Sequence, residues 1–146
     1  MKREIILDIP YTIPSLNEWE RTHHQKKPKL KRSLGDAIRM IYRTECINAG
    51  LVAEFPVLDS RITIHSFRRK LITDRDNFEG GMKCLKDALT YSGLIRDDNR
   101  KDFCEGEHTQ AVDYKNPRTV IVVEGDFKSR AVAAKERTSS RGVDAL

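Results

Sequence analysis

The apolar residues of this chain change their spacing in a definite order. They alternate at Ile5, Leu7 and Ile9 before Pro10, then recur at helical intervals through Leu34, Ala37, Ile38, Ile41 and Ile47 ahead of Gly50. Strand character returns over about 61–67, and a second helical stripe, Phe78, Met82, Leu85 and Leu89, runs up to Gly93. Apolar residues at every second position make one face of a strand, and a period of 3.6 makes one face of a helix. The order strand, helix, strand, helix, followed by the β-rich run Val120, Ile121, Val122, Val123, predicts an α+β fold. The expected architecture is a small mixed sheet of about four strands packed with two main helices, in a single domain.

Finer boundaries follow from local signals. Ser33 is a natural N-cap for the first helix and Gly50 its stop, which leaves 14–32 as an irregular basic loop. The second helix spans about 77–92, but each glycine of Gly80-Gly81 costs roughly 1 kcal/mol relative to alanine inside a helix, so its regular part is expected from Met82. A hairpin is expected over about 103–124, turning at Asn116-Pro117. Residues 127–146 are basic, rich in Ser, Ala and Arg, and show no periodicity, so they read as a disordered tail behind a domain of residues 1–126.

Composition narrows the partners. With 146 residues, 38% apolar and 34% charged, much of the surface must be charge. The net charge is +5, and the stretch 21–43 holds Arg21, Lys26, Lys27, Lys29, Lys31, Arg32, Arg39 and Arg43 against the single acid Asp36. That sign favours a polyanion, and a second cluster, Arg68-Arg69-Lys70, follows the second strand; the plainer alternative is a solvated basic loop. Cys46, Cys84 and Cys104 form no C-x-x-C pair, which points away from a disulfide framework or a zinc site and towards a reducing cytoplasm. No apolar run approaches a membrane span and no signal peptide is visible, so a soluble, cytoplasmic protein is expected.

The chemistry concentrates in 74–98. Asp74 and Asp76 are two apart, so in an extended segment both carboxylates leave from one side, and a helix followed by an extended return from Gly93 can bring Asp98 back to them. Clustered aspartates suit Mg²⁺, a hard cation that takes oxygen ligands and keeps several waters. Such an ion can orient a water and neutralise charge in phosphodiester hydrolysis. Lys83 lies in the first turn of the expected regular helix, where its ammonium would stabilise developing charge; its alternative role is a surface pair with Asp87, four residues on.

The pieces Asp74-Arg75-Asp76-Asn77, Gly80-Gly81-Met82-Lys83, Asp87-Ala88-Leu89, Gly93-Leu94-Ile95 and Asp97-Asp98 occur in that order. Together they resemble the core motif of the RusA-type Holliday-junction resolvases, crossover junction endodeoxyribonucleases found largely in bacteria and their prophages. The early strand followed by Pro14-Ser15-Leu16-Asn17 resembles that family's N-terminal segment. The resemblance implies a homodimeric endonuclease, dependent on Mg²⁺ with Mn²⁺ able to substitute, that cuts paired strands of a four-way DNA junction in recombination and repair. It implies metal ligation by Asp74, Asp76 and Asp98 and catalysis by these acids with Lys83, supported by Asn77, Asp87 and Asp97. Extra residues, including Gly80-Gly81, separate Asp76 from the lysine relative to the best-known member. DNA contacts are expected from Lys26, Lys27, Lys29, Lys31, Arg32, Arg68, Arg69 and Lys70, with no nucleotide cofactor and no membrane.

Other features carry less. Glu124, Asp126 and Lys128 resemble the acid-x-Lys end of restriction-type nuclease cores, but Gly125 suits a plain strand end. His23-His24 in a basic loop reads as a solvent or phosphate contact, and Trp19 and Tyr42 as packing residues rather than base-stacking platforms. The alternative to an enzyme is a non-catalytic dimeric DNA-binding protein of the same fold. Against it, apposed carboxylates in a basic protein are unfavourable unless a cation sits between them.

Overall fold

Strand β1 (Lys2–Ile9) buries Ile5, Leu7 and Ile9 on one face, as its alternation requires. Residues 2–57, 59–96 and 103–144 are described by the computed structural model. After β1 come α1 (Leu16–Arg21), α2 (Lys26–Asn48), β2 (Ser60–Arg68), α3 (Arg75–Ser92), β3 (Phe103–Glu105), β4 (Thr109–Val112), β5 (Arg118–Asp126) and α4 (Arg130–Asp144). The sheet is mixed. β5 lies between β1 and β2 and is antiparallel to both, with Ile5 opposite Val123 and Ile64 opposite Ile121. β3 and β4 lie along the other edge of β2, both parallel to it. Ile62 and His65 are three residues apart while their partners Glu105 and Thr109 are four apart, so this edge carries one extra residue, a bulge.

The inner faces of β1, β2 and β5 join the apolar stripes of α2 (Leu34, Ile38, Tyr42, Cys46) and α3 (Phe78, Met82, Leu85, Leu89) in one hydrophobic cluster. Each fully buried aliphatic or aromatic side chain there contributes about 1.5–3 kcal/mol. The protein is a single-domain α+β fold, as the change of period in the sequence implies. None of the described helices is long and apolar enough to cross a membrane.

Four local expectations are corrected. The basic stretch is not a loop: α2 begins at Lys26, because Lys and Arg are good helix formers and Pro28 falls in the first turn, where its missing N–H is not needed. A short helix, α1, occupies part of the supposed loop, with the Ser15 hydroxyl accepting from Glu18 N at 3.2 Å.

The 103–124 hairpin does not form, since β4 and β5 flank β2 on opposite sides. The turn between them crosses the end of β2. Asp113 N donates to Arg68 O at 2.8 Å, and the Asp113 carboxylate takes Asn116 N at 3.1 Å and Arg118 Nη1 at 2.8 Å. The segment read as a disordered tail is helical from Arg130, in keeping with its run of Ala, Lys, Glu and Arg. Ser129 Oγ accepts from Val132 N at 3.1 Å, and the entry to α4 is tied to the body by Val52 N to Lys128 O and Arg130 N to Gly50 O, both 2.9 Å.

Candidate functional site

The start of α3 holds the residues singled out as acids. Asp74 has extended backbone geometry and is the N-cap: its Oδ1 accepts from Asp76 N at 2.9 Å and Asn77 N at 3.4 Å. Capping satisfies two of the free N–H groups of the first turn. Asp76 lies within that turn, where the helix dipole favours an acid. The two carboxylates therefore do not project from one side of an extended strand, because the cap turns the chain between them. Both residues are exposed, and the second oxygen of Asp74 takes no protein hydrogen bond among the described residues.

The diglycine is inside α3, which starts seven residues earlier than Met82, at Arg75. Its glycines answer a steric demand from the N-terminal segment. A Cβ on Gly81 would overlap the Pro14 carbonyl oxygen, and one on Gly80 would stand 2.7 Å from Leu16 Cδ2. Asn17 N donates to Asn77 Oδ1 at 2.9 Å, closing the contact at the far end. Residues 14–17 are thus seated on 77–81, and Asn77 acts as the joint between the two segments.

Asp76, Gly80, Lys83 and Asp87 follow at four- and three-residue steps and share one face of α3. Lys83 is exposed and makes no ion pair among the described residues, while the Leu16 side chain fills the space over Gly80 between it and Asp76. Asp87 does not pair with Lys83. Its partner is Lys31 of α2, at 3.1 Å, which joins the two core helices and takes Lys31 out of the free basic surface. Asp97 and Asp98 lie outside the described residues. Among the described residues no three His, Cys, Asp or Glu side chains are grouped so as to hold a metal ion.

The DNA-contact candidates divide into two places. On α2, Lys26, Lys29 and Arg32 are exposed, whereas Lys27 and Lys31 place their ammonium groups 5.3 and 5.9 Å from the buried Trp19 ring. Trp19 and Tyr42 are core residues, as expected of packing side chains; the Tyr42 hydroxyl donates to Glu54 O at 3.0 Å. At the end of β2, Arg69 and Lys70 are exposed and Arg68 is buried. His23 and His24 stack on each other in the turn before α2, and His23 Nδ1 accepts from Gln25 N at 3.2 Å. Glu124 sits in the ladder opposite Glu4 and Arg61, and Lys128 is 4.0 Å from Glu136. Cys46 and Cys84 are buried; burial pushes the Cys84 thiol up to about 11, which makes it a poor nucleophile.

One titratable cluster has no signature in the sequence. Glu105 contacts Lys86 Nζ through Oε1 and lies 3.5 Å from His108 Nε2 through Oε2. Burial works to raise Glu105, but the Lys86 ammonium holds it below the usual carboxylate value. Burial pushes His108 below the ordinary histidine value, against the pull of Glu105. Only the pairing of β3 and β4 with β2 brings 105–108 beside α3, and no spacing rule links them to Lys86.

No protein-family model matches the chain, and no curated protein matches it.

Proposed function

We propose that the protein is a magnesium-dependent endonuclease that resolves four-way DNA junctions as a homodimer in a reducing cytoplasm. The observation that carries the reading is the seating of residues 14–17 on Asn77, Gly80 and Gly81. Two separate stretches that resemble the resolvase family are thereby parts of one packed unit, with Asp74 and Asp76 left facing solvent at its edge. These two carboxylates fit a cation that keeps most of its waters: Asp74 uses one oxygen as the cap and keeps the other, and Asp76 is open. Asp98 is the third ligand on this reading. When bound, Mg²⁺ supplies an activated water and neutralises charge on the phosphoryl oxygens. Lys83 contributes a point charge on the same helix face as Asp76, and the cations of α2 and of the β2 end hold the DNA backbone.

A second reading, a DNA-binding dimer without turnover, is favoured by one observation. The Asp74 carboxylate is already engaged by two backbone N–H groups, which accounts for an aspartate there without a metal. One assay separates the two. Incubated with Mg²⁺ and a synthetic four-way junction, the wild type should introduce paired nicks, and Asp76→Asn and Asp98→Asn should bind the junction without cutting it. Binding with no cutting by the wild type in Mg²⁺ or Mn²⁺ refutes the enzyme, and equal cutting of linear duplex refutes junction selectivity.

A further inference from the structure

Helix α2 carries two apolar stripes, and the core takes only one of them. Leu34, Ile38, Tyr42 and Cys46 are buried. Leu30, Met40 and Ile47 are 48, 65 and 53% exposed, so Ile47 falls outside the core stripe to which its spacing assigns it. Single apolar residues on a surface are ordinary. These belong to a series: Leu30, Ser33, Ala37, Met40, Thr44 and Ile47 follow at alternating steps of three and four, the spacing of a seam between two helices. Thr44 Oγ1 donates back to Met40 O at 3.0 Å, so its hydroxyl needs no partner across such a seam.

The series is complementary to a second copy of itself running in the opposite direction. About a two-fold axis midway between Ala37 and Met40, Leu30 meets the partner's Ile47, Ser33 meets the partner's Thr44, and Ala37 meets the partner's Met40. Every layer sets like polarity against like, and the central layers set a small side chain against a long one, as interdigitation requires.

The charges select that direction. Asp36 and Arg43 stand seven residues apart on one flank of the seam, and both are exposed. Asp36 is the single acid of 21–43 and has no ion-pair partner among the described residues. Arg43 rests on Phe55, its guanidinium carbon 5.3 Å from the ring centre. Antiparallel pairing sets Asp36 beside the partner's Arg43, twice over by symmetry, and flanking charges of this kind fix orientation. Parallel pairing would set Asp36 beside the partner's Ile41, a half-buried apolar residue, and leave both charges unmatched. Asp36, Met40, Arg43 and Thr44 also border a hollow of about 340 Å³ together with Arg39, open to a side chain from outside.

We infer that a second copy of this chain docks on this face, α2 against α2 and antiparallel, with Leu30, Met40 and Ile47 as the buried contacts and Asp36 with Arg43 as the orienting pairs. This names the subunit contact of the homodimer proposed above and rests on that reading. Lys29 then stands about 28 Å from the partner's Lys29 along the helix axis, at ~1.5 Å per residue. The exposed cations at the start of α2 thus fall at two ends related by the two-fold axis.

The test is sedimentation equilibrium of the full chain without DNA or Mg²⁺. The wild type should have twice the mass of one chain, and Met40→Lys, at an exposed position, should weaken association by a factor of about 10 or more. Asp36→Arg and Arg43→Asp should each weaken self-association, and an equal mixture of these two variants should recover the dimer, because each supplies the charge that the other lacks. Far-UV circular dichroism confirms that each variant is folded. A wild type still monomeric at about 100 μM, where pairs of micromolar Kd are associated, overturns the inference. So does a dimer unmoved by Met40→Lys, or a mixture no more associated than its two components. A dimer indifferent to all three substitutions leaves the nuclease reading standing with another interface. A seam dimer that does not cut junctions leaves the inference standing and removes the enzyme.

Discussion

Gly81→Ala tests the joint on which the functional reading depends. In an ordinary helix this change stabilises by about 1 kcal/mol through propensity alone. Here the new methyl group would fall on the Pro14 carbonyl oxygen, with the carbonyl carbons of Pro14 and Ser15 both at 3.1 Å. Backbone cannot turn aside as a side chain can. The segment is fastened on every side, by Trp19 N to Ser15 O at 2.9 Å, by Asn17 N to Asn77 Oδ1 at 2.9 Å and by Arg68 on Ile13 O. Overpacking of this kind costs about 1–3 kcal/mol, and loss of the Asn77 hydrogen bond a further 0.5–1.5 or so. Against the propensity gain, the net loss is about 2 kcal/mol. With a urea m-value of about 2 kcal/mol/M, the unfolding midpoint should fall by about 1 M. Gly80→Ala meets the movable end of Leu16 at 2.7 Å, so it should lose less. The assay is urea unfolding of the three proteins followed by far-UV circular dichroism. A Gly81→Ala midpoint at or above that of the wild type, or a larger loss in Gly80→Ala, refutes the packing argument.

Three further outcomes are expected. Asp74→Asn should keep the cap and change stability by only a few tenths of a kcal/mol, while Asp74→Ala should lose about 1 kcal/mol; junction cutting by the Asn variant would remove Asp74 from the metal site. A double-mutant cycle on Lys31 and Asp87, both part-exposed, should return a coupling of about 0–1 kcal/mol in urea unfolding, and a coupling above 2 kcal/mol would contradict a solvent-screened pair. Glu105 and His108 both titrate below their ordinary values in the folded state, so the unfolded chain binds more protons in acid. Their stability contribution is present at neutral pH and lost as pH falls: the urea midpoint should decrease from pH 7 towards pH 4, and His108→Phe should flatten the upper part of that slope.

The sequence made the framework legible because burial leaves a periodic record. Ile5, Leu7 and Ile9, the stripe from Phe78 to Leu89 and the stop at Gly93 are each set by burial on one face or by positive φ, which the residues must match. Boundaries and partners were less legible, since they depend on contacts distant in sequence. Gly80-Gly81 looks like a helix defect until Pro14 and Leu16 are seen against it. Asn116-Pro117 looks like a hairpin turn until Asp113 is seen fastened to Arg68 at the end of β2. Asp87 looks like the partner of Lys83 until α2 brings Lys31 to 3.1 Å. The cluster of Lys86, Glu105 and His108 had no local signal at all.

These contacts divide the family-like residues by what they do for the chain itself. Asn77, Gly80, Gly81 and Asp87 each have a packing or pairing role that would hold their identity without any reaction. Asp76 and Lys83 have none beyond helix electrostatics: both are exposed, neither fills the core, and neither is needed to join two elements. Asp74 stands between the groups, because Asn or Ser would cap the helix about as well and bring no negative charge. The case for chemistry at this site therefore rests on Asp74, Asp76 and Lys83 rather than on the whole motif. Substitutions that preserve folding at these three positions, and at Asp98 outside the described residues, are the ones whose effect on cutting bears on function.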